Sequence, residues 1–485
     1  MITAAAARRR YVALSFLTWL PTGLYLAPMV LLMLERGLSL GAIAAVGAVY
    51  SVTVVALELP TGGLSDVLGR RPVLLASAAT GLAGLLLLGL SGTLWVLAVS
   101  AALRGAARAL SSGPAEAWYV DAVHAAAGRD ADLGPGLARG AMAASAALAV
   151  GVLAGGVIPF LWSSAPALGG GTTVGGMVTS GATAAGGGMS VPGATAADGG
   201  GAALGDWAAS GLAVPVLLAM GCELALLVFV AVAMREVRGA RPGLASVLRG
   251  VPGTVAAGLR LAGRDHVLVR VLLVAAATGT ALAVIELLTP AWMAVLAGGP
   301  GGGVLAYALV AAVGFAADAA GNALGVPLTR RLGSPGRAAC AGTLVAALAL
   351  AGLAGTASLA GLPGVIAAGA AYLLMFLGLG AAVAPVGRLL HDRVEAAERA
   401  TVLSVQSLVL QLGAGGGSLA LGWLAAARGP GAAFAVGALA LCPAALLLWR
   451  VPRRRHGRAR ALLLRHAGPR IPARDRPRED RLPRS

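Results

Sequence analysis

The stretch GGLSDVLGRRP, residues 62–72, is the most informative part of this sequence for the fold, because it places three charged residues in a short connection. Long apolar runs lie on both sides of it, and within it stand one aspartate, Asp66, and two arginines, Arg70 and Arg71. Glycine permits the backbone conformations that a tight turn needs. The pattern therefore predicts a sharp polar turn between two helices that run in opposite directions.

The composition of the whole chain predicts a membrane protein. Of its 485 residues, 58% are hydrophobic and only 12% are charged, which excludes an ordinary soluble domain. A bilayer core needs about 20 apolar residues per helical crossing, and the short alternating segments of a membrane β-barrel do not occur. We expect an all-α membrane protein with about twelve transmembrane helices, near 11–34, 40–62, 73–92, 94–120, 138–162, 211–234, 267–296, 304–328, 338–358, 362–387, 400–426 and 431–450.

The placement of arginine predicts the topology. All 37 basic residues are arginine, and basic residues in short loops stay cytoplasmic. The loops of the other side hold little more than Arg36 and Arg428. We predict a multi-pass protein of the cell membrane with both termini cytoplasmic. The predicted cytoplasmic arginines are Arg8 to Arg10, Arg70, Arg71, Arg129, those from Arg235 to Arg270, Arg330, Arg331, Arg337, Arg393, Arg399 and those of the C-terminal tail.

Cofactor and metal chemistry are not expected. A phosphate-binding loop needs a lysine, and this chain has none. Cys222, Cys340 and Cys442 lie singly in apolar segments without the spacing of a metal or redox pair. The five histidines form no ligand cluster. We therefore expect neither an enzyme nor a protein that holds a cofactor or metal.

Two segments have a composition unlike the rest. Residues 163–210 are rich in glycine, alanine, serine and threonine, and such a segment buries too little apolar area to offset its ordering entropy. The tail, 451–485, carries twelve arginines. We expect the first to be a disordered external loop. We expect the second to be a disordered cytoplasmic tail that lies against anionic lipid headgroups and binds no nucleic acid.

A partial copy of the opening stretch lies 264 residues further along the chain. Arg330 stands there in the position of Asp66, and Pro327 in that of Gly63. Three other positions match: Leu64, Leu68 and Gly69 recur as Leu328, Leu332 and Gly333. Repeats of this kind are common in transporters. We predict two six-helix halves, 1–234 and 267–450, joined by a cytoplasmic loop at 235–266.

Residues 62–71 resemble the signature loop between helices 2 and 3 of the major facilitator superfamily. The resemblance implies two pseudo-symmetric six-helix bundles and a latch, in which a partly buried ion pair holds the halves together at the cytoplasmic surface. A purely topological role for the arginines is the alternative, but it leaves Asp66 unexplained. The predicted latch residues are Glu58, Gly63, Asp66, Gly69, Arg70, Arg71, Glu116 and Asp121.

Arg104 lies about ten residues into the predicted fourth helix, close to the middle of the membrane. A charge at that depth costs about 3 kcal/mol or more unless it faces water or a partner. Arg104 and Gly105 resemble the helix 4 arginine motif of the superfamily, which implies a role in proton coupling. Arg108, one turn later, replaces the usual glycine and doubles the need for a counter-charge or an anionic ligand.

Three acidic residues are candidate partners for these arginines. Glu286 is the first choice for a proton carrier, because helices 4 and 7 line the central cavity in the superfamily that this chain resembles. Glu223 and Asp318 fall on supporting helices. A buried carboxylate exchanges protons near neutral pH. The alternative for each is a satisfied hydrogen bond between helices, and Asn322 makes local pairing plausible for Asp318.

The fifth helix carries Gly151, Gly155 and Gly156 in a pattern that resembles the helix 5 element of drug–proton antiporters. Small residues let helices pack with their backbones close, which implies a stiff hinge between the halves. Val152 stands where that element has proline. Gly413, Gly415, Gly416 and Gly417 are the candidate counterparts in the second half.

Three functions remain open from the sequence. The first is a proton-coupled exporter of lipophilic small molecules, such as drugs or secondary metabolites, that works by alternating access as a monomer. The second is a proton-coupled importer of a metabolite or organic anion held by Arg104 and Arg108. The third is a membrane sensor or partner protein without transport activity, which deletion of 451–485 would distinguish from a carrier.

Overall fold

The computed structural model describes residues 2–128, 131–164, 210–234, 265–394 and 399–451, together with residues 253, 260 and 263. These residues form fourteen α-helices and a 3₁₀ turn at Thr356–Ser358. The helices are α1 (Ala4–Leu26), α2 (Met29–Glu35), α3 (Leu40–Leu68), α4 (Arg70–Leu90), α5 (Leu94–Ser111), α6 (Pro114–Ala127), α7 (Gly134–Ser164), α8 (Val214–Ala233), α9 (His266–Leu296), α10 (Pro300–Leu332), α11 (Pro335–Gly355), α12 (Gly361–His391), α13 (Arg399–Arg428) and α14 (Pro430–Trp449).

Twelve helical segments of the described residues are long and apolar enough to cross a membrane. The helices α1 and α2 together make the first span, α5 and α6 make the fourth, and each remaining helix makes one. The prediction of an all-α protein with twelve transmembrane helices is confirmed. The predicted external loop lies almost entirely, and the basic tail and the central loop lie mostly, outside the described residues.

Two spans are broken, and local residues explain both breaks. Between α1 and α2 stands Pro28, which lacks the amide hydrogen that would continue the helical hydrogen bonds. Between α5 and α6, Gly113 has a φ of 93° and Pro114 begins the next helix. The fourth span includes α6 and runs to Ala127, seven residues beyond the predicted end.

The first six spans and the last six pack in the same way. In the first half, α1 packs on α7 and α8, α5 packs on α3 and α4, and α4 packs on α8. In the second half, α9 packs on α13 and α14, α12 packs on α10 and α11, and α11 packs on α14. These helices correspond pair by pair, so the molecule consists of two pseudo-symmetric six-helix bundles, as the repeated loop predicts.

The bundles meet along two seams. One joins α3 to α13, and the other joins α7 to α10. In the pseudo-symmetry that relates the halves, α3 corresponds to α10 and α7 corresponds to α13. The symmetry therefore exchanges the two seams. In the first seam, buried Ser418 donates a hydrogen bond of 3.0 Å to the carbonyl oxygen of Ala44.

Successive spans run in opposite directions, which defines two faces. We call the arginine face the one that carries the N-terminus, Arg70, Arg71, Arg330 and Arg331. At the opposite face, one buried cluster joins both halves and includes Met33, Met293 and Tyr307. Near the arginine face, a second cluster, around Trp118 and Tyr119, belongs to the first half. The halves therefore share a continuous core at the opposite face.

Arg36, at the opposite face, ties the first span to the third. Its guanidinium donates hydrogen bonds to the carbonyl oxygens of Leu88, Gly89 and Ser91. These carbonyls lie at the C-terminal end of α4, where helical carbonyls lack partners within the helix. Burial lowers the pKa of Arg36, and nearby Glu35 acts in the other direction. Arg36 thus caps α4, a role that its position in the sequence does not indicate.

Candidate functional site

A cavity of about 380 Å³ lies inside the first half. One face of α1 lines it, with polar and aromatic residues spaced three or four apart, as on one side of an α-helix. These residues of α1 are Tyr11, Ser15, Thr18, Trp19, Thr22 and Tyr25. The lining reaches Gly113 and Glu116, near the arginine face. The cavity thus extends from the arginine face toward the middle of the bundle.

The two arginines of α5 line this cavity and stack on aromatic rings of α1. The guanidinium carbon of Arg104 lies 5.2 Å from the ring centroid of Tyr25, and that of Arg108 lies 5.1 Å from the ring centroid of Trp19. Arg104 is 8% exposed and donates a 3.3 Å hydrogen bond to the sulfur of Met29. A desolvated cation gains about 2 kcal/mol over an aromatic face.

Neither arginine is neutralised in the part of the chain that the structure describes. No carboxylate lies within ion-pair distance of Arg104 or Arg108 there, and the Nε of Arg104 is buried without a hydrogen-bond partner. A buried cation without a counter-charge is costly. Arg104 can therefore bind an anion or a hydrogen-bond acceptor that enters the cavity, and Arg108 lies one turn away on the same helix face.

Glu223 of α8 lies in the same cavity, against α4. Its carboxylate packs on Gly81, where a Cβ atom would overlap it. The side chain stem of Arg104 packs on Gly84, one turn further along α4. Glu223 is 8% exposed, and among the described residues no hydrogen bond or ion pair engages it. The buried side chains of Glu223 and Arg104 therefore pack against neighbouring turns of the same face of α4.

Gly81 and Gly84 make room for Glu223 and Arg104, a role that their positions in the sequence do not indicate. They are two of 72 glycines, and their spacing of three is common in membrane helices. Their role depends on how α4 packs on α5 and α8. The sequence alone does not reveal that packing.

Glu286, the predicted proton carrier, lies outside this cavity. It stands in the middle of α9, and its side chain is accessible to solvent although it belongs to a central helix. The phenols of Tyr50, Tyr307 and Tyr372 lie near it. Tyr50 also lies near Arg104 and lines the cavity. Tyr50 therefore stands between the arginines of the first half and the carboxylate of the second.

Asp318 pairs within its own helix. The side-chain amide of Asn322 donates to a carboxylate oxygen of Asp318 at 3.1 Å, and Asp318 packs against Gly380 of α12. It does not line the cavity of the first half. The local pairing considered from the sequence is thus the arrangement found.

The two arginines of the predicted latch contact residues of the first half. Gly69, with a φ of 102°, ends α3 and precedes α4, so the left-handed turn explains this glycine. Arg70 lies 3.6 Å from Asp121 of α6 and donates to Ser65 at 2.7 Å. Arg71 donates to the carbonyl oxygen of Ala231 at the end of α8. The Arg70–Asp121 ion pair therefore joins helices of one bundle.

A contact between the bundles comes from Glu58. Ser407 of α13 donates to its two carboxylate oxygens at 3.0 and 3.2 Å, on the arginine-face side of the seam between α3 and α13. Glu116 is exposed at the rim of the cavity. The backbone of Gly63 and of Asp66 belongs to α3, but their surroundings lie outside the described part of the structure.

The glycines of α7 serve two interfaces. Cβ atoms at Gly151 and Gly155 would overlap the backbone of α1 around Leu24, within the same bundle. A Cβ atom at Gly156 would overlap Ala308 of α10, in the other bundle. Of these glycines, Gly156 is thus the one that allows the close approach of the two bundles.

Metal binding finds no support in the described residues, which contain no group of three or more histidine, cysteine, aspartate or glutamate residues able to hold a metal ion.

Solved structures of transporters share this arrangement of helices. The nucleoside transporter NupG matches 92% of this chain with 100% of its own, at 11% identity and a TM-score of 0.67. The chain has the major facilitator fold. The peptide transporter POT in complex with alafosfalin matches 93% of this chain with 98% of its own, at 13% identity and a TM-score of 0.63.

A third solved structure is a bacterial homolog of the human lysosomal transporter Spinster in an inward-facing, unoccupied conformation. It matches 92% of this chain with 94% of its own, at 14% identity and a TM-score of 0.63. No family model matches the sequence, and no curated protein matches it either. At these identities the likeness concerns the fold.

Proposed function

We propose that this protein is a proton-coupled exporter of lipophilic small molecules, working as a monomer by alternating access in the cell membrane. The observation that carries the proposal is the cavity of the first half, in which Arg104 and Arg108 stack on aromatic rings and the buried carboxyl group of Glu223 lines the same space. The transporter fold and the opening toward the arginine face, predicted to be cytoplasmic, are consistent with it.

The chemistry of the cavity favours one class of cargo. Trp19, Tyr25 and Tyr50 supply aromatic surface, which suits a lipophilic body, and the two guanidinium groups suit a neutral acceptor or an anionic group. The same two positive charges repel a lipophilic cation. We therefore expect neutral or anionic lipophilic compounds to be exported in preference to cationic ones.

Export in exchange for protons requires that substrate and proton occupy the site in turn. Glu223 supplies a protonatable carboxyl group in the same cavity as Arg104 and Arg108. A substrate that enters the cavity displaces the proton from Glu223, and a proton that returns to Glu223 releases the substrate. Glu286 provides a second protonatable group in the other half, near Tyr50 of the cavity lining. The binding of substrate and the binding of the proton are then linked with opposite sign.

A second candidate is uptake of an organic anion. It is favoured by the same absence of a carboxylate within ion-pair distance of Arg104 and Arg108 among the described residues. The direction of transport distinguishes the two candidates, since both use the same cavity.

The test uses inside-out vesicles with an acidified lumen and a pH-sensitive dye. Neutral lipophilic compounds, organic anions and lipophilic cations are added in turn. We expect proton release on adding a neutral or anionic compound, no release in Arg104→Ala vesicles, and normal release in the control Arg428→Gln, which removes an arginine outside the cavity. Silence across all classes, with folded protein present, contradicts export. Uptake of a labelled anion by intact cells then establishes the second candidate.

A further inference from the structure

A second cavity lies on the outside of the first half. It is a groove of about 630 Å³ between α1, α7 and α8, close to the arginine face. Its floor is apolar. The residues that form this floor are Val12, Ala13, Phe16, Leu17, Ala143 and Phe229.

The groove occupies the side of α1 that faces away from the substrate cavity. Residues 8, 9, 12, 13, 16 and 17 line the groove, whereas 11, 15, 18, 19, 21, 22 and 25 line the cavity. With 3.6 residues per turn these two sets lie on roughly opposite sides of the helix. The groove therefore faces the lipid, and one helix separates it from the transport pathway.

Three arginines, Arg8, Arg9 and Arg139, form the rim of the groove. Among the described residues, no carboxylate pairs with any of them. Arg10, their neighbour in sequence, instead donates to the carbonyl oxygen of Ala233 at the end of α8. The rim arginines thus present positive charge next to an apolar floor, close to the arginine face.

We propose that this groove binds one anionic phospholipid. The phosphate group lies among Arg8, Arg9 and Arg139, and an acyl chain lies on Phe16 and Phe229. Basic pockets between transmembrane helices on the cytoplasmic side have this combination of charge and apolar surface. Phosphatidylcholine has the same phosphate group, but its quaternary ammonium cancels the negative charge and is repelled by the three arginines. The lipid occupies the first half alone, so the proposal does not depend on the direction of transport.

Native mass spectrometry of the full chain in detergent tests the proposal, with phosphatidylglycerol and phosphatidylcholine of identical acyl chains as the probes. We expect the wild type to retain one phosphatidylglycerol molecule at least tenfold more tightly than phosphatidylcholine. The triple variant Arg8→Gln, Arg9→Gln and Arg139→Gln should bind phosphatidylglycerol about a hundredfold more weakly, roughly fivefold per arginine.

A control triple, Arg330→Gln, Arg331→Gln and Arg388→Gln, removes the same charge from the second half and should bind like the wild type. Ala13→Trp fills the groove but leaves the three rim arginines in place, so it should weaken phosphatidylglycerol binding at least tenfold. This variant also tests the proposal if the triple variant does not fold. Equal binding of the two lipids, equal weakening in the control triple, or a dimer that Ala13→Trp abolishes, would overturn the proposal.

Discussion

In the first half, α7 packs on α1 through Gly151 and Gly155, and in the second half, α13 packs on α9 through Gly413 and Gly417. The spacing of four is the same, and so is the packing. The charges are not the same. The helix α5 carries Arg104 and Arg108, whereas α12, its counterpart, has no charged residue before Arg388. Small residues thus maintain the symmetry of the backbone, and charges distinguish the halves.

The largest expected effect on transport concerns Arg104 of the first half, compared with Asp318 of the second half. Arg104→Gln removes a buried cation with which no carboxylate of the described residues forms an ion pair, and we expect at least a hundredfold loss of proton-linked transport with the protein still folded in detergent. Asp318→Asn changes an acid that pairs with Asn322 in its own helix, so transport should fall less than threefold. Transport rates in proteoliposomes measure both, and similar losses would remove the functional distinction between the halves.

The placement of Glu223 gives the next prediction. Gly81→Ala introduces a methyl group into the position of its carboxylate, and we expect about a tenfold loss of transport because the acid is displaced from Arg104. Gly221→Ala, on the same helix as Glu223, meets no atom within 4 Å and serves as the control. If Gly81→Ala transports like Gly221→Ala, the acid of the first half has no role in transport.

The close approach of the bundles predicts a moderate effect on stability. Gly156→Ala overpacks the seam against Ala308, and overpacking typically costs about 1–3 kcal/mol. Gly416→Ala, in the corresponding region of α13, meets nothing within 4 Å and should be neutral. Thermal unfolding in detergent compares them, and equal melting temperatures would show that Gly156 is not needed at the interface.

The smallest effect concerns the seam between α3 and α13. Ser407→Ala removes the hydrogen bond to Glu58 nearer the arginine face, and Ser418→Ala removes the bond to Ala44 nearer the opposite face. A hydrogen bond contributes about 1 kcal/mol, so populations should change up to fivefold. We expect Ser407→Ala to favour opening at the arginine face and Ser418→Ala to oppose it.

Distances between spin labels on the two bundles measure these populations. Shifts in the same direction by both serine variants would contradict a seam in which the two hydrogen bonds act at opposite ends.

Much of the fold followed from the sequence. The lengths of the apolar runs predicted twelve transmembrane helices, and the repeated loop predicted two similar bundles, both now confirmed. The sidedness of the membrane and the exact division at 235–266 remain predictions. The charged residues at membrane depth were also visible, because a charge in an apolar run stands out wherever the helix faces.

The surroundings of those charges depended on the tertiary structure. Helices that are apolar on all sides carry no periodic signal for their rotation, so the sequence could not decide that Arg104 lies near Glu223 rather than beside Glu286. It could not assign Gly81 to the carboxylate, or Arg36 to the end of α4, because those contacts join segments distant in the chain. Sequence determined how many helices cross the membrane, since length and hydropathy are local. Only packing decided which side chains face each other.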